Sequence, residues 1–76
     1  MVTKYIIEMD HSTALGTEVA YFYEGQNKKG ESLFHHNRSK AKRYLWEHEA
    51  IRDMSILKAV HPYADTFRVL PVSCRA

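Results

Sequence analysis

Residues 37–60, NRSKAKRYLWEHEAIRDMSILKAV, cannot form one amphipathic helix, and this restricts the fold more than any other feature of the chain. At about 100° per residue, Trp46, Ala50, Met54 and Leu57 fall on one face, with Ile51 and Val60 flanking the stripe. Ala41, Tyr44 and Leu45 fall on the opposite side. A single helix would carry two unrelated apolar faces, broken between Leu45 and Trp46. The spacing predicts instead a short extended or one-turn piece ending at Leu45, then an amphipathic helix. On this reading Trp46, Ala50, Ile51, Met54, Leu57 and Val60 belong to the core. The cations Arg38, Lys40, Lys42 and Arg43 precede the break and are separated from it.

The helix is expected over about residues 46–61. Glu47, Glu49 and Asp53 sit early and Lys58 late, as the helix dipole prefers, and Pro62 after His61 stops it. Upstream, residues 4–9 alternate Tyr5, Ile7 and Met9 with Lys4, Glu8 and Asp10 beyond, which reads as a strand. A turn fits residues 11–17, a second strand residues 19–24, and a glycine-bounded turn residues 25–30. Residues 31–36 form a third strand, giving a meander of three. Residues 65–73 form the last, with Pro71 arguing for a sheet edge or a strand end. The order is β-β-β-α-β: an α+β domain over residues 1–76, with one amphipathic helix on one face of a small, mostly antiparallel sheet.

An apolar share of 45% excludes disorder, while 76 residues leave little room for the deep pocket of a small-molecule enzyme. Cys74 is the only cysteine, so no internal disulfide is possible. No apolar run is long enough to span a membrane, and the first ten residues lack a signal-peptide core. A cytoplasmic protein is expected.

The chemistry-bearing residues give no catalytic pattern. His11, His35, His36, His48 and His61 lack the short spacing of metal ligands, and no metal or cofactor is expected. His35 and His36, adjacent on a strand, would point to opposite faces. Ser12 beside His11 lacks the glycines of a nucleophile elbow, and Cys74 has only Arg75 as a local charge. Glu47, Glu49 and Asp53 read as ordinary surface ion-pair partners of Arg52 and Lys58. The expectation is a protein that is not an enzyme.

Charge placement is more informative. Residues 28–43 hold six Lys/Arg against the single acid Glu31, although the whole chain carries only +2. Such a bipolar surface favours an oriented partner. Lys28, Lys29, His35, His36, Arg38, Lys40, Lys42 and Arg43 are therefore the candidate contact residues. A protein partner is favoured, with nucleic acid as the alternative, since cations interleaved with Phe34 and Tyr44 could hold phosphates and stack bases. Tyr5, Tyr21, Phe22 and Tyr23 would occupy both faces of the sheet, of which one helix covers one. Tyrosines left on the open face would suit homodimerisation.

The segments KYIIEMD, VAYFYEG, SKAKRYLWEHEAIRDM and FRVLPV together resemble a class of short bacteriophage and prophage proteins. Ser39, Ala41, Lys42 and Tyr44 match that class's S-x-A-K-x-[FY] element, and Glu47, Glu49 and Ala50 match the acids and alanine that lead its helix. The turn at residues 25–30 and the pair His35 and His36 depart from it. The resemblance implies a mobile-element protein in a bacterial or infected host cell. It further implies contact with a host or viral protein, as inhibitors of host defence complexes make.

Overall fold

The computed structural model describes residues 2–12, 15–16, 18–61 and 66–74, with the backbone alone at residues 11, 12 and 18. The strands β1 (Val2–Ser12), β2 (Glu18–Gln26), β3 (Ser32–His35) and β4 (Thr66–Cys74) form one sheet. Their order is β3-β2-β1-β4, and every neighbouring pair is antiparallel. A 3-10 turn, Arg38–Lys40, and the helix α1, Glu47–Val60, lie between β3 and β4. The β-β-β-α-β order and the α+β class are those expected. Of the turn expected over residues 11–17, residues 11 and 12 instead extend β1, residues 15 and 16 turn, and the rest lies outside the described residues, as does the stop at Pro62.

Strand alternation divides the apolar residues between two faces. On the helix side Ile7, Tyr23, Tyr44, Ala50, Leu57 and Phe67 form the main core, with Tyr5, Met9, Phe34, Met54 and Val69 packed against it. On the other side Ile6, Phe22 and Ala41 form a smaller cluster with Leu70 and Val72. Tyr5 and Tyr23 therefore lie under the helix. Of the strand aromatics it is Phe22, and not a tyrosine, that joins the cluster on the open face, where Ala41 packs with it.

The helix begins one residue after Trp46 and ends one before His61, so the phase break is real. Its buried stripe is narrower than expected. Ala50 and Leu57 are buried, but Trp46, Ile51 and Val60 are exposed. Trp46 has extended backbone, φ −117 and ψ 135, so helical periodicity does not govern where its side chain goes. Ile51 and Val60 lie on opposite flanks of a stripe centred near Ala50 and Leu57, beyond the width that a four-stranded sheet covers.

The segment after the 3-10 turn changes faces by passing through the sheet. The pairing of β1 with β2 runs from Glu8 and Phe22 to Ser12 and Glu18. Nearer the start of β1 the two strands separate, and β2 carries a register shift between Tyr23 and Gly25. Gly25, at φ +119, has the backbone this irregularity needs and that other residues rarely adopt. Residues 42–44 fill the fork. The Lys42 N–H donates to the Tyr23 carbonyl at 2.8 Å, and Tyr44 and Tyr5 exchange two backbone hydrogen bonds of 2.8 Å each. Ala41 is thus packed on the back, and Tyr44 in the main core.

The same pairing fixes the far edge. Tyr5 lies opposite Pro71, and its backbone N–H and C=O are already engaged by Tyr44 on the other side. The Pro71 nitrogen consequently faces the outer edge of β4, where its missing N–H costs no sheet hydrogen bond. This is the edge position Pro71 argued for.

Candidate functional site

The eight cationic and histidine candidates fall into four places, with Lys40 exposed at the end of the 3-10 turn beside the last of them. Lys28 and Lys29 are exposed at the tip of the β2–β3 hairpin. Asn27 builds that tip: its Oδ1 accepts from the N–H groups of Lys29 at 2.9 Å and Glu31 at 3.0 Å. Its Nδ2 donates to Glu31 Oε1 at 3.1 Å. This side-chain mimic of a backbone turn is what Asn favours, and it presents the two lysines outward.

His35 ends β3 and His36 follows in a bend. Their rings stack at 4.6 Å with planes 19° apart, which corrects the expectation of opposite faces. Alternation holds only while the backbone stays extended, and the strand stops between them. The Asn37 N–H donates to His35 Nδ1 at 2.9 Å. Asn37 then caps the 3-10 turn, its Oδ1 accepting from the Ser39 N–H at 3.0 Å and the Ser39 hydroxyl at 2.8 Å.

Beyond the turn the chain is extended and its side chains alternate. Lys42 turns toward the helix side, where its Nζ lies 3.9 Å from Asp53 Oδ2 and 5.0 Å from the centre of the Tyr44 ring. The Tyr44 hydroxyl donates to the same carboxylate oxygen at 2.7 Å. Burial, then this hydrogen bond and the Asp53 charge, raise the Tyr44 phenol well above its ordinary value. Burial first, and Asp53 second, raise Tyr23 as well. Lys42 thus belongs to a core-edge network, and Asp53 is held by Tyr44 and Lys42 instead of serving as a simple surface partner of its helix neighbours.

Arg38 and Arg43 lie together on the back. With Ile6, Ser39 and residues 71–74 they line a concavity of about 400 Å³. A neighbouring hollow of about 420 Å³ is shared by Lys4, Arg43, Ser73 and Cys74. Among the described residues neither is lined by a carboxylate. Among the described residues the ion pairs are Lys42 with Asp53, and Arg68 with Glu8 and Asp10. Arg68 bridges Glu8 (Nε to Oε1, 2.8 Å) and Asp10 across the sheet, and those partners raise its already high pKa. Arg38, Lys40 and Arg43 have no such neutralising partner among the described residues.

No family matches. No protein-family model fits the chain, and no curated protein or solved structure is significantly similar to it.

Among the described residues no three His, Cys, Asp or Glu side chains gather as a metal ion would need, and no helix is long and apolar enough to cross a membrane. The back-face hollow also contains two residues that local reading did not connect to the cations, Lys4 and Cys74. Val2 lies opposite Cys74, so the pairing of β1 with β4 brings Cys74 there, while the bridge between Tyr5 and Tyr44 brings Lys4 beside Arg43. A second surface feature adjoins the cations in sequence: Leu45 and Trp46 are 52% and 57% exposed. Trp46 occupies the N-cap of α1 without a capping hydrogen bond from its side chain, and its ring lies beside His48 at 6.5 Å.

Proposed function

We propose that this chain is a non-catalytic binding module that docks on an acidic face of a protein partner. Arg38, Lys40 and Arg43 supply the charge, and Leu45 and Trp46 an apolar anchor beside it. The observation that carries this reading is Trp46. A Ser, Thr, Asp or Asn at that N-cap would supply a hydrogen bond worth about 1 kcal/mol. The chain instead holds its one tryptophan there, more than half exposed and three residues from an unneutralised arginine. Exposed Trp and Arg together are the residue types that dominate binding energy at protein interfaces. Charge around such an anchor steers and orients the encounter.

The nucleic-acid reading draws on the same cations but loses its stacking platform. Phe22, Tyr23 and Tyr44 are buried, and Phe34 packs against the core. Homodimerisation has less support than the sequence suggested, because Tyr5 and Tyr23 face the helix. On the resemblance to bacteriophage proteins, the partner is a host or viral protein, such as a defence complex, in the cytoplasm of a bacterial or infected host cell.

The test is affinity capture from bacterial lysates with the intact protein and with Trp46→Ala and Arg38→Ala/Arg43→Ala variants. A defined partner retained by the intact protein and lost from both folded variants is the expected result. A blank across hosts would count against the reading. A salt-steep shift of labelled oligonucleotide, abolished by replacing Lys40, Lys42 and Arg43 with Ala, would replace it with the nucleic-acid one.

A further inference from the structure

We infer that the back-face concavity holding Arg38 and Arg43 is an oxyanion site for a phosphate group, with Lys4 adding charge at its mouth. This rests on the reading of residues 38–43 as a contact surface and names the chemistry that one part of it recognises.

Charge arrangement is the first support. Two guanidinium groups share one hollow, and an ammonium borders the hollow next to it, with Arg43 common to both. Like charges brought together repel, so a fold that needed no anion there would gain by placing an acid among them. Glu8 and Asp10 lie on the same face of β1, yet both are engaged by Arg68, opposite Glu8 in the sheet. These two acids are thus engaged by Arg68 and not by Arg38 or Arg43.

The floor is the second. Ile6 is buried and Val72 partly so, and both line the concavity. A charged rim over an apolar wall concentrates the field outward, toward a ligand. Backbone geometry is the third. Arg38 opens a 3-10 turn whose Ala41 N–H returns to the Arg38 carbonyl at 3.1 Å. Arg43 lies between two residues tied to different strands, Lys42 to Tyr23 and Tyr44 to Tyr5. The two arginines therefore project from fixed points instead of a loose loop.

Ligand class follows from the donors. The Ser39 hydroxyl is already donated to Asn37, so the donors are guanidinium and ammonium groups, with the Ser73 hydroxyl beside them. Guanidinium forks match the edges of phosphate and carboxylate alike. A carboxylate offers two oxygens and one charge. A phosphate monoester offers three free oxygens and nearly two charges, enough to serve both arginines and leave one oxygen toward Lys4.

The experiment follows the side-chain Nε–Hε resonances of the arginines in the intact, isotope-labelled protein during titration with inorganic phosphate, then with O-phosphoserine. Chloride at matched ionic strength is the control. Saturable shifts at Arg38 and Arg43, absent at Arg52 and Arg68, are expected with both probes. Arg38→Ala and Arg43→Ala should each weaken binding by at least about tenfold, and Arg43→Lys by less. Both side chains are exposed, so the variants should keep the parent thermal midpoint, which is checked in parallel. Shifts that are linear, or equal at Arg52 and Arg68, would mean diffuse screening and overturn the site. Tighter binding of an oligonucleotide than of O-phosphoserine, with no shift at Arg38 and Arg43, would overturn it too. A glutamate-rich peptide separates the two readings. If it binds through Arg38 and Arg43 while both phosphate probes fail, the phosphate site falls and the docking reading stands.

Discussion

Tyr44→Phe tests the fork directly, because it removes one atom from the residue that fills it and leaves the ring in place. Tyr44 is 6% exposed and its hydroxyl donates to a carboxylate oxygen of Asp53 at 2.7 Å. A hydrogen bond to a charged group contributes about 1.5–3 kcal/mol. The Asp53 side chain is 25% exposed and keeps Lys42 at 3.9 Å, so water and that lysine partly replace the lost donor. The lower end, about 1.5 kcal/mol, is therefore expected, which for a domain of this size lowers the thermal midpoint by about 6–12 °C. Asp53→Ala should cost about 1–3 kcal/mol by a different route, leaving a buried hydroxyl without its acceptor. The double variant should cost less than the sum, with a coupling of about 1 kcal/mol in urea unfolding. Additive effects, or a Tyr44→Phe protein as stable as the parent, would refute the assignment of Asp53 to Tyr44. Alkaline titration gives an independent readout. The Tyr44 phenol is raised above its ordinary 10.0 in the folded state, so the unfolded chain loses that proton first. Its contribution is complete below the unfolded value and is lost as pH rises through the folded one. Stability should fall more steeply above pH 10 in the parent than in Tyr44→Phe, by up to about 1.4 kcal/mol per pH unit.

Three further outcomes are expected. Leu57→Ala should cost about 2–4 kcal/mol in urea unfolding, whereas Ile56→Ala, at a residue 55% exposed, should cost under about 1 kcal/mol. Gly25→Ala has room for its Cβ, 3.9 Å from Lys42 Cδ, but not the backbone freedom at φ +119; a loss of about 1 kcal/mol or more should appear as a lower midpoint with an unchanged denaturant slope. Trp46→Ser supplies the capping oxygen α1 lacks, so unfolding free energy should stay within about 1 kcal/mol of the parent while partner capture is lost.

The sheet and helix were legible because their signals are local and periodic. β-branched and aromatic alternation marked the strands, and the phase break between Leu45 and Trp46 located the helix start to within one residue. What periodicity could not supply was the width of the buried stripe. Trp46, Ile51 and Val60 satisfy a helical pattern, yet the sheet beneath covers only the line through Ala50, Met54 and Leu57. The candidate site was legible as composition and not as geometry. The alternation that sends Arg43 to the back sends Lys42 to Asp53, and Lys4 joins Arg43 only through the bridge between Tyr5 and Tyr44, residues far apart in the chain. His35 and His36 stack because the strand ends between them, a one-residue boundary that no local pattern fixes.

The passage of residues 42–44 through the sheet bears on the kinetics of any encounter. Surface loops that carry contact residues usually have to be ordered when a partner arrives, and that ordering cost weakens the complex. Here Arg43 sits between backbone hydrogen bonds to β2 and β1, and Tyr44 anchors the same stretch in the main core. Only side-chain torsions remain to be frozen. A partner docking as proposed would find the backbone of this surface already fixed, so affinity gained by mutation should come from slower dissociation and not from faster folding onto the target.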